Sequence, residues 1–342
     1  MSDIFQNIKY WQNFNQERLD EYAMQIFCFY RENGFPFFDV NLAYRKKELE
    51  KLLKYDDSCV VNNNIIKQTM HGLALCWSYM PHSFSIKCKN FRTPMDIFND
   101  DTLFFKAIKK RLKIGTFISH AGIRKILKSY VGVQTVSNFR PTAASAIYNL
   151  YSGEGAVLDM SSGFGGRLLG AEKSKKVKEY IGLEPSTATY TGLIEMIKDL
   201  NIKKVKIMKT GSEDYFKKGY FDLCFTSPPY FNLERYSDEP SQSYIKFNNV
   251  SSWYDGFFKA TIQNSCLSLK DNGYLILNVK NTKELPDFEN KTHLFCREFG
   301  LSYIKTLKLS LSQQSFGKGY NNFNFEPVII YRKGLSNVTG AE

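Results

Sequence analysis

Ser227-Pro228-Pro229-Tyr230 is an unusual way to leave a strand. The four residues follow the apolar run "FDLCFT", Phe221 to Thr226, and are followed by a second ring, Phe231. Proline has a fixed φ and no N–H, so Pro228 and Pro229 end ladder pairing and stiffen the backbone at the strand's exit. A hydroxyl, a fixed carbonyl and an aromatic ring are thereby held out together.

A second constellation lies upstream, in "GAVLDMSSGFGGRLLGA". Asp159 closes an apolar run, and Gly163, Gly165 and Gly166 follow before a helix start at Arg167. Glycines there allow a tight turn, let a ligand approach the backbone, and aim helix N–H groups at a carboxylate or phosphate. The spacing does not match G-x-G-x-x-G in register, so the turn alone is a weak signal. The next apolar run ends in Glu184 of "YIGLEPSTATY", placed to take hydrogen bonds from a ribose diol. The third ends in "TGSEDYF", which offers Glu213 and Asp214. Each acid could instead cap a helix, as Ser186 or Ser212 could.

The elements that must position these residues follow from periodicity. "AVLDM", "EYIGLEP", "VKIMKTGS", "YFDLCFTS" and "GYLILNVK" are short apolar runs separated by helix-length patterns such as "TATYTGLIEMIKDL" and "WYDGFFKATIQNSCLSL". That alternation predicts a parallel α/β sheet. "LSYIKTLKLS" and "PVIIYRK" have only irregular sequence between them and are expected to pair as an antiparallel edge. Such a sheet binds ligands at the carboxyl ends of its strands.

The first 132 residues read differently. "RLDEYAMQIFCFYRENG", "VNLAYRKKELEKLLKY", "TPMDIFNDDTLFFKAIKKRLKIG" and "SHAGIRKILKSYVG" have helical spacing, the last capped by Ser119 and stopped by Gly132, with an extended stretch expected at "HGLALCWSYMPHSFSIKCK". The expected division is a mainly helical domain, 1–132, and a catalytic sheet domain, 133–342.

With 46 Lys and Arg against 34 Asp and Glu, the chain carries +12 at pH 7, which favours a polyanionic partner. Lys109, Lys110, Arg111, Lys113, Arg124, Lys125 and Lys128 fall in a stretch without a carboxylate and with interleaved rings, so contact with phosphates is favoured over a solvated helix face. No apolar run approaches bilayer length, and the amino terminus has no leader pattern, so an intracellular protein is expected. Seven irregularly spaced cysteines read as free thiols. Cys76, His82 and Cys88 come nearest to a zinc site, but no metal is expected.

From Asn138 to Lys333 the chain resembles the amino-group methyltransferases, which use S-adenosylmethionine to methylate exocyclic nitrogens of nucleic-acid bases. Ser-Pro-Pro-Tyr carries the resemblance, supported by "NFRP" before the first strand, "LKDNGYLILNV" and the closing "FEPVIIYRK". The resemblance implies a Rossmann-like methyltransferase sheet, mostly parallel with one reversed hairpin strand. Ser227, Pro228, Pro229 and Tyr230 would be catalytic, and Phe231 would touch nucleic acid. An exocyclic amine is a poor nucleophile because its lone pair is delocalised into the ring. Acceptors at Ser227 and at the first proline's carbonyl would take both N–H bonds and turn the lone pair toward the sulfonium methyl, while Tyr230 stacks on a flipped base. Phe139 and Pro141 would cover the cofactor. Asp159, Ser161, Gly163, Gly165, Glu184, Pro185, Glu213, Asp214 and Thr226 would bind the cofactor, Asp159 orienting its methionine end and Glu184 holding its ribose.

"TSPPY" leans toward N4 of cytosine in DNA, with N6 of adenine behind it. Two departures bear on methionine-carboxylate binding: "MSS" stands where Pro-Phe is usual, and Arg167 stands at the helix start. No long insertion follows Tyr230 and no long carboxyl-terminal extension is present, so target recognition would fall to the basic helical region or a partner. An RNA amino-methyltransferase, an inactive cofactor-binding subunit of a modification complex and, last, a hydride-transfer enzyme are the rival readings. The family setting is bacterial or phage cytoplasm. Monomer and homodimer stay open.

Overall fold

The computed structural model describes residues 4–311 and 324–335. Its strands in chain order are β1 (Val61–Asn62), β2 (Ile65–Ile66), β3 (Lys87–Cys88), β4 (Ala156–Asp159), β5 (Glu179–Leu183), β6 (Val205–Met208), β7 (Phe221–Thr226), β8 (Glu234–Arg235), β9 (Leu269–Asn278), β10 (Leu301–Ser310) and β11 (Phe325–Lys333). Nine form one sheet in the order β1-β2-β10-β11-β9-β7-β4-β5-β6, and β3 pairs with β8. Strands β4, β5, β6, β7 and β9 are parallel, while β11 runs antiparallel to both β9 and β10. This is the mostly parallel Rossmann-like sheet expected, with β11 reversed between β9 and β10. The chain winds from β4 to β5 and β6 on one side and returns to β7 and β9 on the other. The order therefore reverses between β4 and β7, and a crevice opens at their carboxyl ends.

The β10–β11 pair is antiparallel as expected, although β10 is not the sheet's edge. A hairpin, β1–β2, turned by Asn63 and Asn64 at φ 48° and 61°, adds to it through a parallel β10–β2 pairing. Two-residue strands gave too short a period to read in the sequence. The stretch 312–323 between β10 and β11 lies outside the described residues.

Contacts divide the chain into two compact units, and not at 132/133. One comprises residues 1–40, 81–137 and 234–236; the other comprises 41–80, 138–233 and 237–342. Residues 41–80 join the sheet unit because the helix Leu42–Lys54 docks on the helix Thr187–Leu200. Arg45 donates to Asp199 at 3.0 Å and lies 4.0 Å from the ring centre of Tyr79, whose hydroxyl also reaches Asp199. The expected extended stretch at 71–89 is instead a short helix, Leu73–Trp77, a 3-10 turn, Pro81–Ser85, and only two strand residues, Lys87–Cys88.

The first unit is helical around Tyr22, Ile26, Tyr30, Phe104, Ile108 and Leu127. The pattern at 93–115 splits into Pro94–Asn99, closed at its start by a Thr93–Asp96 capping box, and Asp101–Lys113, which Asp100 caps. Ser119 caps His120–Lys128 as expected. Among the described residues no helix is long and apolar enough to cross a membrane, and no three His, Cys, Asp or Glu side chains could hold a metal ion.

Candidate active site

The glycine turn sits where β4 hands over to the helix Gly166–Lys173. Gly163 and Gly165 have φ of 57° and 83°, a left-handed backbone that side chains rarely adopt. Gly166 is required by closeness: a Cβ there would collide with the carbonyl oxygen of Phe139. Asn138 Nδ2 completes the junction by donating to the Phe164 carbonyl at 3.1 Å. "NFRP" is thus clamped onto the turn. Pro141 is buried at the first position of the helix Pro141–Tyr151, and Phe139 meets Phe225 edge-on at 5.2 Å.

Asp159 is fully buried. Its Oδ2 accepts from Arg167 Nε at 2.8 Å and from Tyr180 hydroxyl at 2.6 Å, and its Oδ1 accepts from the Ser161 N–H at 3.2 Å. Arg167 also donates to the Ser161 carbonyl. Burial works against the guanidinium charge, but Asp159 beside it more than offsets this, and the Arg167 pKa stands above its ordinary value. Asp159, expected at the methionine end, has its Oδ2 engaged by Arg167 and Tyr180 and its Oδ1 by one backbone N–H. Arg167, unusual in the sequence, makes this pairing. Tyr180 carried no sequence signal, being one ring inside a buried strand.

Glu184 follows β5 and behaves differently. Its oxygens accept from the N–H of Gly163 at 3.0 Å and of Ser186 at 2.9 Å, which fixes the carboxyl at the strand end beside the glycine turn. Burial pushes its pKa up to about 7, and the two N–H bonds pull the other way. Glu213 and Asp214, in the turn Ser212–Asp214 after β6, both bind Lys246 Nζ, at 3.0 and 2.6 Å. Glu213 Oε2 is buried without a hydrogen-bond partner.

A strap that the sequence did not announce runs past these ends. Glu239 accepts from the N–H of Thr187 at 2.9 Å and its hydroxyl at 2.6 Å, which caps the helix Thr187–Leu200 from a distance, since Ser186 makes no side-chain cap. Ser241 donates to the Pro185 carbonyl at 3.3 Å, and Lys246 binds the two acids. Residues 237–246 are therefore tied to the ends of both β5 and β6.

Ser227 and Tyr230 are half-buried at the exit of β7, across the β4–β7 crevice from the glycine turn. Pro228 is buried, and the Thr226 hydroxyl is buried without a hydrogen-bond partner. Tyr230 meets Phe288 edge-on at 5.5 Å. Phe231 is not a surface ring. It is 8% exposed, packs against Trp253 and sits at φ 50°, so it anchors the turn in the core instead of touching nucleic acid. A bulky residue at positive φ costs about 1–3 kcal/mol and persists only where packing dictates it.

The basic stretch is also reduced. Arg111 is 9% exposed, donates to the Phe117 carbonyl and lies against Gly122; Arg124 donates to the carbonyls of Pro36 and Phe37. Lys109 pairs with Asp20 at 2.7 Å, and Lys128 lies 4.8 Å from the centre of the Phe84 ring. These four hold the helical unit together. Lys110, Lys113 and Lys125 remain exposed.

No protein family matches the sequence, and no curated protein does. Solved structures align with this chain at low identity. A methyltransferase from Pyrococcus furiosus is 16% identical, with 62% of this chain and 94% of that one covered and a TM-score of 0.40. A SAM-dependent methyltransferase from Methanosarcina mazei is 13% identical, covering 56% and 97%, with a TM-score of 0.38. The N-methyltransferase NodS from Bradyrhizobium japonicum is 9% identical, covering 56% and 94%, at 0.38.

Proposed function

We propose that the protein is an S-adenosylmethionine-dependent amino-methyltransferase acting on a nucleic-acid base, N4 of cytosine in DNA before N6 of adenine. The observation that carries this reading is the place of Ser227-Pro228-Pro229-Tyr230. The turn leaves β7 at the β4–β7 switch point, with the glycine turn on the other side of the crevice and the buried Glu184 one strand further on. A carboxyl fixed by two N–H groups fits a ribose diol, and the unpartnered Glu213 oxygen fits a donor such as an exocyclic amine of the adenine ring. With Asp159 Oδ2 engaged by Arg167 and Tyr180, the glycine-turn backbone would carry most of the methionine end.

When bound, the cofactor supplies an electrophilic methyl group to the amine, which sheds one proton. The protein's share is positioning. Ser227 Oγ and the Pro228 carbonyl accept the two N–H bonds, Pro229 keeps that carbonyl rigid, and Tyr230 stacks on the base. Lys110, Lys113 and Lys125 contribute phosphate contacts. Incubating the protein and labelled S-adenosylmethionine with defined DNA and RNA duplexes, followed by nucleoside analysis, tests the reading. Label in N4-methylcytosine of DNA supports it; label only in RNA favours the RNA enzyme; no transfer to either overturns it.

A further inference from the structure

Three residues from three strands share one face at the crevice end of the sheet. Thr226 of β7 is in register with Leu277 of β9, so the next position sets Ser227 beside Asn278. Asn278 is in register with Val328 of β11, and Glu326 lies two positions before it, one step further toward the crevice. Cys224, Leu275, Leu277, Val279, Ile329 and Tyr331 belong to the core on one side of the sheet. Strand alternation therefore turns Ser227, Asn278 and Glu326 to the other side, where Phe225 meets Phe139.

Asn278 is a polar side chain only 2% exposed at the end of a central strand, and its amide donates to the Pro327 carbonyl at 3.0 Å and to the Glu326 carboxyl. It thus holds the residues that open β11. Glu326 itself is half-buried, and its pKa is raised by burial; Lys280, the charge facing it, and the Asn278 hydrogen bond act in the opposite sense. Its register partner on β10, Leu309, is apolar.

We propose that Glu326, positioned by Asn278, reads the edge of the target base by donating a hydrogen bond to the ring nitrogen adjacent to the reacting amine. The proposal rests on the amino-methyltransferase reading. Ser227 and Pro228 there take both amine N–H bonds, which leaves N3 of cytosine or N1 of adenine as a buried acceptor that must find a donor. A neutral carboxyl supplies one. A carboxylate would face the nitrogen lone pair with another. The protonated form is the competent one, so turnover falls as pH rises through the pKa of Glu326.

The test uses a duplex that the wild type methylates and a second in which the target ring nitrogen is replaced by C–H. An unmet buried acceptor costs about tenfold or more. Wild type should therefore lose at least that factor in kcat/KM on the second duplex. Glu326→Ala should lose the same factor on the natural duplex, no longer distinguish the two, and bind S-adenosylmethionine as wild type does. Glu326→Gln keeps a donor; it should retain most activity and lose the alkaline fall in kcat/KM. If Glu326→Ala does not fold, the Glu326→Gln pH profile decides. Wild-type rates in Glu326→Ala, indifference of wild type to the ring nitrogen, or an unchanged alkaline limb in Glu326→Gln would each overturn the proposal while leaving the function intact. A wild type that methylates no nucleic acid overturns the function itself and the proposal with it.

Discussion

Arg167 and Asp159 form a buried ion pair beneath the glycine turn, Nε to Oδ2 2.8 Å, with Tyr180 and the Ser161 carbonyl completing the shell. Breaking a buried pair leaves one uncompensated charge, which costs about 3–5 kcal/mol, whereas removing both partners costs far less. Arg167→Met and Asp159→Asn should each lose that much stability in urea unfolding. The double variant should recover a good part of it. If Asp159→Asn instead keeps full stability and loses only cofactor affinity, the acid is a ligand after all.

Ser227→Ala removes an acceptor that matters once the amine reacts, so kcat should fall by about a hundredfold or more while S-adenosylmethionine affinity stays within about twofold. Tyr230→Ala loses base stacking, about 1–3 kcal/mol, and should show it mainly in kcat/KM for nucleic acid. Calorimetry giving equal loss of cofactor affinity in both variants contradicts these roles.

Glu184 gives the site a pH dependence. Its folded pKa, about 7, lies above the ordinary carboxyl value because of burial, so the folded state favours the protonated acid. Its contribution to stability is whole below the unfolded pKa near 4.5 and is lost as pH rises through 7, about 3 kcal/mol in all. Ribose binding asks for the opposite form. Cofactor affinity should rise about tenfold between pH 6 and pH 8 and level off above. Glu184→Gln should bind weakly at every pH, and a wild-type dissociation constant that does not vary over this range refutes the assignment.

Glu239 places a carboxylate at the start of the helix Thr187–Leu200 from 52 positions away. Glu239→Ala should cost about 1 kcal/mol of stability. Because the strap also binds Pro185, Glu213 and Asp214, faster hydrogen exchange is expected in residues 237–246. Unchanged protection there would show that the clasp is not what holds the strap.

Lys110, Lys113 and Lys125 are the exposed remainder of the basic stretch. Replacing all three by Glu should weaken DNA binding and lower the slope of log affinity against log salt by about 0.9 for each phosphate no longer neutralised. Cofactor affinity should not change. A folded triple variant with native slope and affinity would place the footprint elsewhere.

Much of this could be read from residue order because it depends on neighbours in sequence. The alternation of apolar runs and helical spacing dictates the five parallel strands, Pro228 and Pro229 dictate a rigid exit from β7, and Gly163 and Gly165 dictate the left-handed turn. Ser119 and Thr93 mark their helices for the same reason: a cap bonds within three residues of itself. What only the tertiary structure decided are pairings over long separations, which no local pattern encodes. Asp159 looks like a ligand until Tyr180 and Arg167 close on it. Phe231 looks like an exposed ring until Trp253 is beside it, and Arg111 and Arg124 look like phosphate contacts until their guanidinium groups meet backbone carbonyls. The helix Leu42–Lys54 reads as part of the helical region because its spacing is amphipathic, but it docks on the helix Thr187–Leu200, where Arg45 meets Asp199, more than 140 positions on. Glu326 stands beside the end of β9 for the same reason: β11 inserts beside β9, and the register of that insertion belongs to the folded sheet.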